Sequence, residues 1–170
     1  MYHKGEYIVY GTKGPCKVDE ITYLDMSGCD EERQYYVLTP LDTKASTIYS
    51  PVDNQKVFTR EVISPEQAEK LMAETCDLDE KKITNEKLRE EEYKNVLRSC
   101  DPKEYIRLMK TLVARKEKRI AEGKKFTSVD ERYLSEISQK ICLELGLVLG
   151  KTADEVNEEL QERITGSFRI

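Results

Sequence analysis

Tryptophan is absent, histidine occurs once, glycine eight times and proline five times. Each scarcity closes a route. With His3 as the sole imidazole, Ser-His-Asp catalysis and histidine-based metal centres lack their working parts. No GxxxxGK[ST] or GxGxxG segment occurs. Gly11 and Gly14 fall between strand-like segments, without the helix start that a phosphate cradle needs. Cys16, Cys29, Cys76, Cys100 and Cys142 are odd in number, irregularly spaced and free of any CxxC pair. They read as reduced thiols, with neither a disulfide framework nor a zinc knuckle. Long apolar runs are missing too. The stretch at residues 145 to 149 is far shorter than the roughly 20 residues of a bilayer helix, and Lys4 and Glu6 stand where a signal peptide carries its apolar core. A cytoplasmic protein without membrane contact is expected. Aspartate and glutamate abound, yet without histidines, glycine loops or a paired-carboxylate context no reaction can be named. The expectation is a protein that is not an enzyme, with no catalytic residue, no metal ligand, no cofactor and no small-molecule substrate.

What is present is charge and a division of labour along 170 residues. Hydrophobic residues make up 38% and charged residues 36%, the balance of a soluble globular chain, with a net charge of -5. Residues 1 to 63 carry Tyr2, Tyr7, Tyr10, Tyr23, Tyr35, Tyr36, Tyr49 and Phe58, whereas the longer remainder carries only Tyr93, Tyr105, Phe126, Tyr133 and Phe168. Segments 6 to 10, 16 to 24, 33 to 39 and 45 to 50 are rich in Tyr, Val, Ile and Thr and are bounded by turn residues at 11 to 14, 27 to 30 and 42 to 44. Short strands at this density predict a small antiparallel sheet, curled or closed so that few edges stay bare. Tyr7, Val9, Tyr36 and Val37 are its expected inward set.

From Ser64 onward the period changes to that of helices. Ser64-Pro65-Glu66-Gln67 combines an N-cap serine, proline at the first helical position and a capping-box glutamine. Asp101-Pro102-Lys103-Glu104 repeats the signal ahead of Tyr105, Ile106, Met109, Leu112, Val113 and Ile120, with Gly123 as the stop. Thr127 and Ser128 open a helix with Leu134, Ile137, Ile141, Leu145 and Val148 on one face, and residues 152 to 164 form a last one on Val156, Leu160 and Ile164. A weaker helix is expected over residues 83 to 98. The fold class is therefore α+β, a small N-terminal antiparallel β-barrel followed by a C-terminal α-helical bundle, with domains at 1–63 and 64–170.

The segments KGEYIVYGTKGPCKVDEI, YYVL and IYSPVDN, in this order, resemble the N-terminal signature of the CarD and CdnL transcription regulators. That module is shared with the transcription-repair coupling factor. YKNVLRSCDP and FTSVDERYLSEISQKICLELGLVLG resemble the helical domain of the same family, so that the likeness runs from Tyr2 to about Leu160. Gly5, Val9, Tyr10, Gly14, Tyr36, Val37, Leu38 and Pro51 carry its first half; Leu97, Leu134, Ile141, Glu144, Leu145 and Gly150 carry much of the second. The resemblance implies a Tudor-like (SH3-like) β domain that docks on bacterial RNA polymerase through the β subunit. It also implies a helical domain lying against promoter DNA at the upstream edge of the transcription bubble, where it stabilises the open complex. Catalysis is not implied.

By the same resemblance the polymerase-facing edge lies at Tyr23, Leu24, Thr47 and Tyr49. Family members often place basic residues there, so Leu24 and Tyr49 make the surface more apolar in this chain. Tyrosine is enriched in protein contacts, which favours Tyr23 and Tyr49. In the second half the most basic window, residues 110 to 125, has seven positive residues, Lys110, Arg115, Lys116, Lys118, Arg119, Lys124 and Lys125, against Glu117 and Glu122. Its local net of +5 can bind phosphates even on an acidic protein, or it can be a solvated helix face. Arg89 and Arg132 match further basic positions of the family. A tryptophan commonly wedges into the duplex there; counting back from Cys100 places Glu86 at that position, with Ile83 or Tyr93 as alternatives under a shifted alignment. An acidic side chain cannot stack on a base. Two readings stand: a polymerase-bound regulator that touches promoter DNA, and an interaction adaptor whose helical domain meets protein instead.

Overall fold

The computed structural model describes residues 1–42 and 46–168, and the chain divides into two compact units, Met1–Val62 and Ile63–Ile170. Five strands are found among the described residues of the first unit: β1 (Tyr7–Tyr10), β2 (Pro15–Tyr23), β3 (Gln34–Pro40), β4 (Ile48–Pro51) and β5 (Thr59–Glu61). All neighbours are antiparallel, in the order β4-β3-β2-β1-β5. Residues 43–45, which take in most of the turn expected at 42 to 44 and the start of the strand expected from 45, lie outside the described residues. The three-residue β5 was not anticipated, because Thr59-Arg60-Glu61 is too short and too polar to show alternation.

The sheet is open, which corrects the expected closed barrel: β4 and β5 are its two edges and do not pair. The curl is nonetheless strong. Tyr10 on β1 donates its hydroxyl to Ser50 Oγ on β4 at 3.2 Å, although a flat sheet would separate these strands by three spacings, about 14 Å. Asn54 Nδ2 donates to the same Ser50 Oγ at 3.2 Å. Side-chain hydrogen bonds thus span part of the distance over which a barrel would carry a backbone ladder. A bulge contributes to the bend: the β2–β3 register shifts between Val18 and Glu20, and the intervening Asp19 accepts a hydrogen bond from the Thr39 hydroxyl.

The core of this unit is Ile8, Cys16, Val18, Tyr36 and Leu38, with Tyr2, Tyr10, Ile21, Ile48 and Val52 packed against it. Three of the four residues expected to point inward therefore lie outside this cluster. Tyr36 is inside, Val9 is buried outside this cluster, and Tyr7 and Val37 are half-buried. Burial pushes the Cys16 thiol up to about 12, so it is an inert packing group.

The second unit is made of α1 (Pro65–Glu74), α2 (Arg89–Ser99), α3 (Pro102–Ala121), α4 (Ser128–Leu149) and α5 (Ala153–Ser167), with a 3-10 turn at Glu86–Leu88 leading into α2. Local signals account for the starts. Ser64 with Gln67 and Thr152 with Glu155 form complete capping boxes, while Asp101 and Thr127 accept hydrogen bonds from the backbone N–H of Lys103 and Asp130. The weaker helix begins at Arg89, later than expected. Upstream of it, Glu92 accepts hydrogen bonds from Thr84 N, Thr84 Oγ1 and Asn85 N, which satisfies those groups outside a helix. All five helices contribute to one apolar core, in which Ala68, Tyr93, Ile106, Leu112, Ile141 and Leu160 are fully buried. No described helix is long and apolar enough to cross a membrane.

One core contact is cationic. Helix α1 has no basic residue in its last turn, and Lys110 of α3 supplies one from outside: its Nζ donates to the carbonyl oxygens of Thr75, Cys76 and Leu78 at 3.0, 3.0 and 2.6 Å. The carbonyls of the C-cap and of the turn that follows the helix are thereby satisfied. Lys110 is 3% exposed, so it leaves the expected surface set of cations.

The α4–α5 turn depends on two glycines. Gly150 has φ +68°, the left-handed region, and a Cβ on Gly146 would lie 2.6 Å from the Lys151 carbonyl oxygen. The obstacle is backbone and cannot rotate away. Gly146→Ala is expected to lower the unfolding free energy by about 1–3 kcal/mol, read by urea denaturation; an unchanged midpoint would show that the turn relaxes freely.

Candidate functional site

In the β unit the four expected docking residues separate. Tyr49 on β4 is 44% exposed and Tyr23 at the end of β2 is 59% exposed. Directly paired residues share a sheet face. Tyr49 lies opposite Val37, and Tyr23 opposite Gln34, so the two tyrosines stand on opposite faces. Thr47 is exposed immediately before β4, and Leu24 is buried. Buried as it is, Leu24 does not present the apolar surface expected of it. What remains together is Thr47 and Tyr49, at a strand whose outer edge has no strand partner among the described residues.

In the helical unit the expected DNA contacts are organised by a residue that the sequence reading passed over. Asp130, in the first turn of α4, is fully buried. Its Oδ1 accepts from the Tyr93 hydroxyl at 2.8 Å and from Arg89 Nε at 3.2 Å, and its Oδ2 accepts from Arg115 Nε at 3.2 Å. Burial alone would raise the Asp130 carboxyl; the Tyr93 hydroxyl and the two guanidinium groups outweigh that and hold it below the usual carboxylate range. The Tyr93 phenol is pushed up, first by burial and then by its bond to Asp130. Arg115 also donates from Nη1 and Nη2 to Glu86 Oε1 and Oε2, both at 2.8 Å. That bond lowers the Glu86 carboxyl. Two arginines and two carboxylates therefore form one network.

The other cations are dispersed. Lys118 lines a groove of about 480 Å³ with Arg115, Lys81 and Lys82. Lys116 lines a different one of about 390 Å³, with its Nζ 5.9 Å from the Phe126 ring centroid. Arg119 Nε donates to the Lys125 carbonyl at 2.7 Å, Lys124 pairs with Glu122 at 3.4 Å, and Arg132 pairs with Glu90 at 2.7 Å. Lys124 and Lys125 remain exposed.

At the expected wedge position Glu86 lies in the 3-10 turn with its side chain 64% exposed. Tyr93 is fully buried and Ile83 packs against the core. The exposed apolar side chain of this turn is Leu88, at 57%. Sequence reasoning assigned Leu88 to a helix interior; its signal was its place among charged neighbours at both sides.

An open, curled antiparallel sheet with an exposed tyrosine on an edge strand has the form on which strand addition by a protein partner can take place. Residues 2–63 match the family model of the CarD-like/TRCF RID domain, which identifies the N-terminal unit as a transcription-related, RNA polymerase-binding module. No curated protein matches the chain.

The Asp130 network has a pH signature. A carboxyl whose folded pKa is depressed contributes its full stabilisation above the unfolded pKa, about 3.9, and loses it as the pH falls through the folded value. Asp130→Asn is expected to cost about 3 kcal/mol at pH 7, by urea unfolding, with the gap to the parent narrowing below about pH 4. A gap of constant size down to pH 3 would refute the ionic reading of the network.

Proposed function

We propose that this protein is a bacterial transcription regulator, without catalytic activity, that docks on the β subunit of RNA polymerase through the β4 edge and brings its helical unit to promoter DNA. The observation that carries the reading is the match of residues 2–63 to the RID domain, on a sheet whose β4 edge has no strand partner among the described residues and bears exposed Tyr49. Edge amides and carbonyls would add a strand from the polymerase, while Thr47 and Tyr49 supply selectivity. Tyr23, on the other face, contributes at the rim. On the DNA side Lys118, Lys124 and Lys125 are the cations best placed for phosphate, and Leu88 in place of Glu86 is the apolar side chain that can hold an unstacked step at the bubble edge.

A second reading is favoured by one observation. Arg89, Arg115 and Arg132 are all engaged by carboxylates of the chain itself. That leaves less free positive charge than the sequence count implies and supports an adaptor whose helical unit contacts protein.

The docking step is read by titrating core polymerase with the full chain: Tyr49→Ala is expected to weaken binding about tenfold, and Tyr23→Ala less. Equal affinity for parent and Tyr49→Ala would remove β4 from the interface. DNA contact is read from promoter open-complex lifetime. Lys118→Glu combined with Leu88→Ala shortens it if the helical unit touches DNA; an unchanged lifetime with polymerase capture intact selects the adaptor.

A further inference from the structure

Arg115 is held so that its recognition edge points away from its anchor. The anchor is Nε on fully buried Asp130, at 3.2 Å. Its two terminal nitrogens then form a parallel fork on Glu86, at 2.8 Å each. A guanidinium presents that same pair of N–H donors to a carboxylate or to a phosphate, with matching geometry. The two acidic partners differ in permanence. Asp130 is locked in the core by three hydrogen-bond donors, whereas Glu86 rides on a three-residue 3-10 turn with most of its side chain in water. Exchanging Glu86 for a phosphate oxyanion re-forms the same pair of N–H bonds on Arg115, so the fork lost to one partner is regained with the other.

The surroundings favour such an exchange. Arg115, Lys81, Lys82 and Lys118 line one groove of about 480 Å³ together with Glu80 and Glu86. Lys81 is engaged by Glu104 at 2.9 Å; among the described residues no carboxylate pairs with Lys82 or Lys118. When Glu86 swings out, an anchored fork and two uncommitted ammonium groups border the same groove.

We infer that this groove is a phosphate-binding site whose resting occupant is Glu86, an internal carboxylate that takes the place of the phosphate on Arg115 and must be displaced for binding. The chemistry required is a phosphate oxyanion, whether free or part of a nucleic-acid backbone. The inference does not depend on polymerase docking.

The experiment uses the full chain without polymerase and titrates two probes, inorganic pyrophosphate and a short DNA duplex, following the Arg115 side-chain N–H resonances and the affinity. Glu86→Gln removes the competing charge and is expected to tighten at least one probe about fivefold; Glu86→Ala, which removes the competitor outright, moves affinity in the same direction. Glu117→Gln deletes the same charge from α3 without touching the Arg115 fork and is expected to stay within about twofold of the parent. Tightening of the duplex alone assigns the backbone as the source, tightening of pyrophosphate alone assigns a free phosphorylated ligand, and tightening of both leaves the groove open to either. If neither Glu86 variant tightens either probe, or if Glu117→Gln tightens binding as much, the inference is overturned. Because no polymerase or promoter is present, these outcomes are independent of open-complex lifetime.

Discussion

A carboxylate with no contact with water has to be compensated where it sits, and Asp130 is compensated from three directions. Tyr93 reaches it from the middle of α2, Arg89 from the start of α2, and Arg115 from α3. The start of α4 is thereby tied to both preceding helices by directional bonds, in addition to the non-directional apolar packing beneath. Lys110 acts similarly at another buried polar point, reaching from α3 to the carbonyls at and just after the end of α1. Helix α3 thus contributes its basic residues inward at two places, and this decides which of its charges remain for partners.

The difference between what could be read from the chain and what could not follows the range of the interactions. Helix starts at Ser64, Asp101, Thr127 and Thr152 were legible because a cap and its recipient N–H lie within three residues. The α+β division was legible for the same reason, since periodicity is a local property. Closure of the sheet was not, because it depends on whether a short strand finds β4 across the gap, and β5 is three residues of polar sequence. The phase of the inward set was shifted by alternation read without knowing that Ile8 rather than Val9 faces the core cluster. Most instructive are the cations: Arg89, Arg115 and Lys110 look like surface charge until Asp130 and the carbonyls after α1 are brought to them over separations of 15 to 41 residues. Of the residues expected at a docking edge, the exposure of Thr47, Tyr49 and Tyr23 follows the sequence expectation, whereas the burial of Leu24 depends on packing that no local pattern reveals.

Charge count and charge availability therefore part company in this protein. A window of net +5 in the sequence resolves into one buried lysine, one arginine shared between two carboxylates, and several lysines distributed over separate grooves. Phosphate recognition responds to the number of cations that can reach the backbone together and release counterions. The acidic residues that hold the helical unit in shape thus also lower the number of cations it can offer to any polyanion at once.

The open sheet carries a further consequence. An edge strand free to receive a partner is equally free to meet the same edge on another copy, which is the usual beginning of aggregation. Here β4 is only four residues long and ends in Pro51, which has no N–H to donate. Any mispaired strand therefore runs out of ladder almost at once. The same four residues limit every strand that could be added there: the backbone ladder alone gives little to an indiscriminate edge-to-edge pairing, so lasting attachment at β4 has to draw on side-chain contacts beyond it.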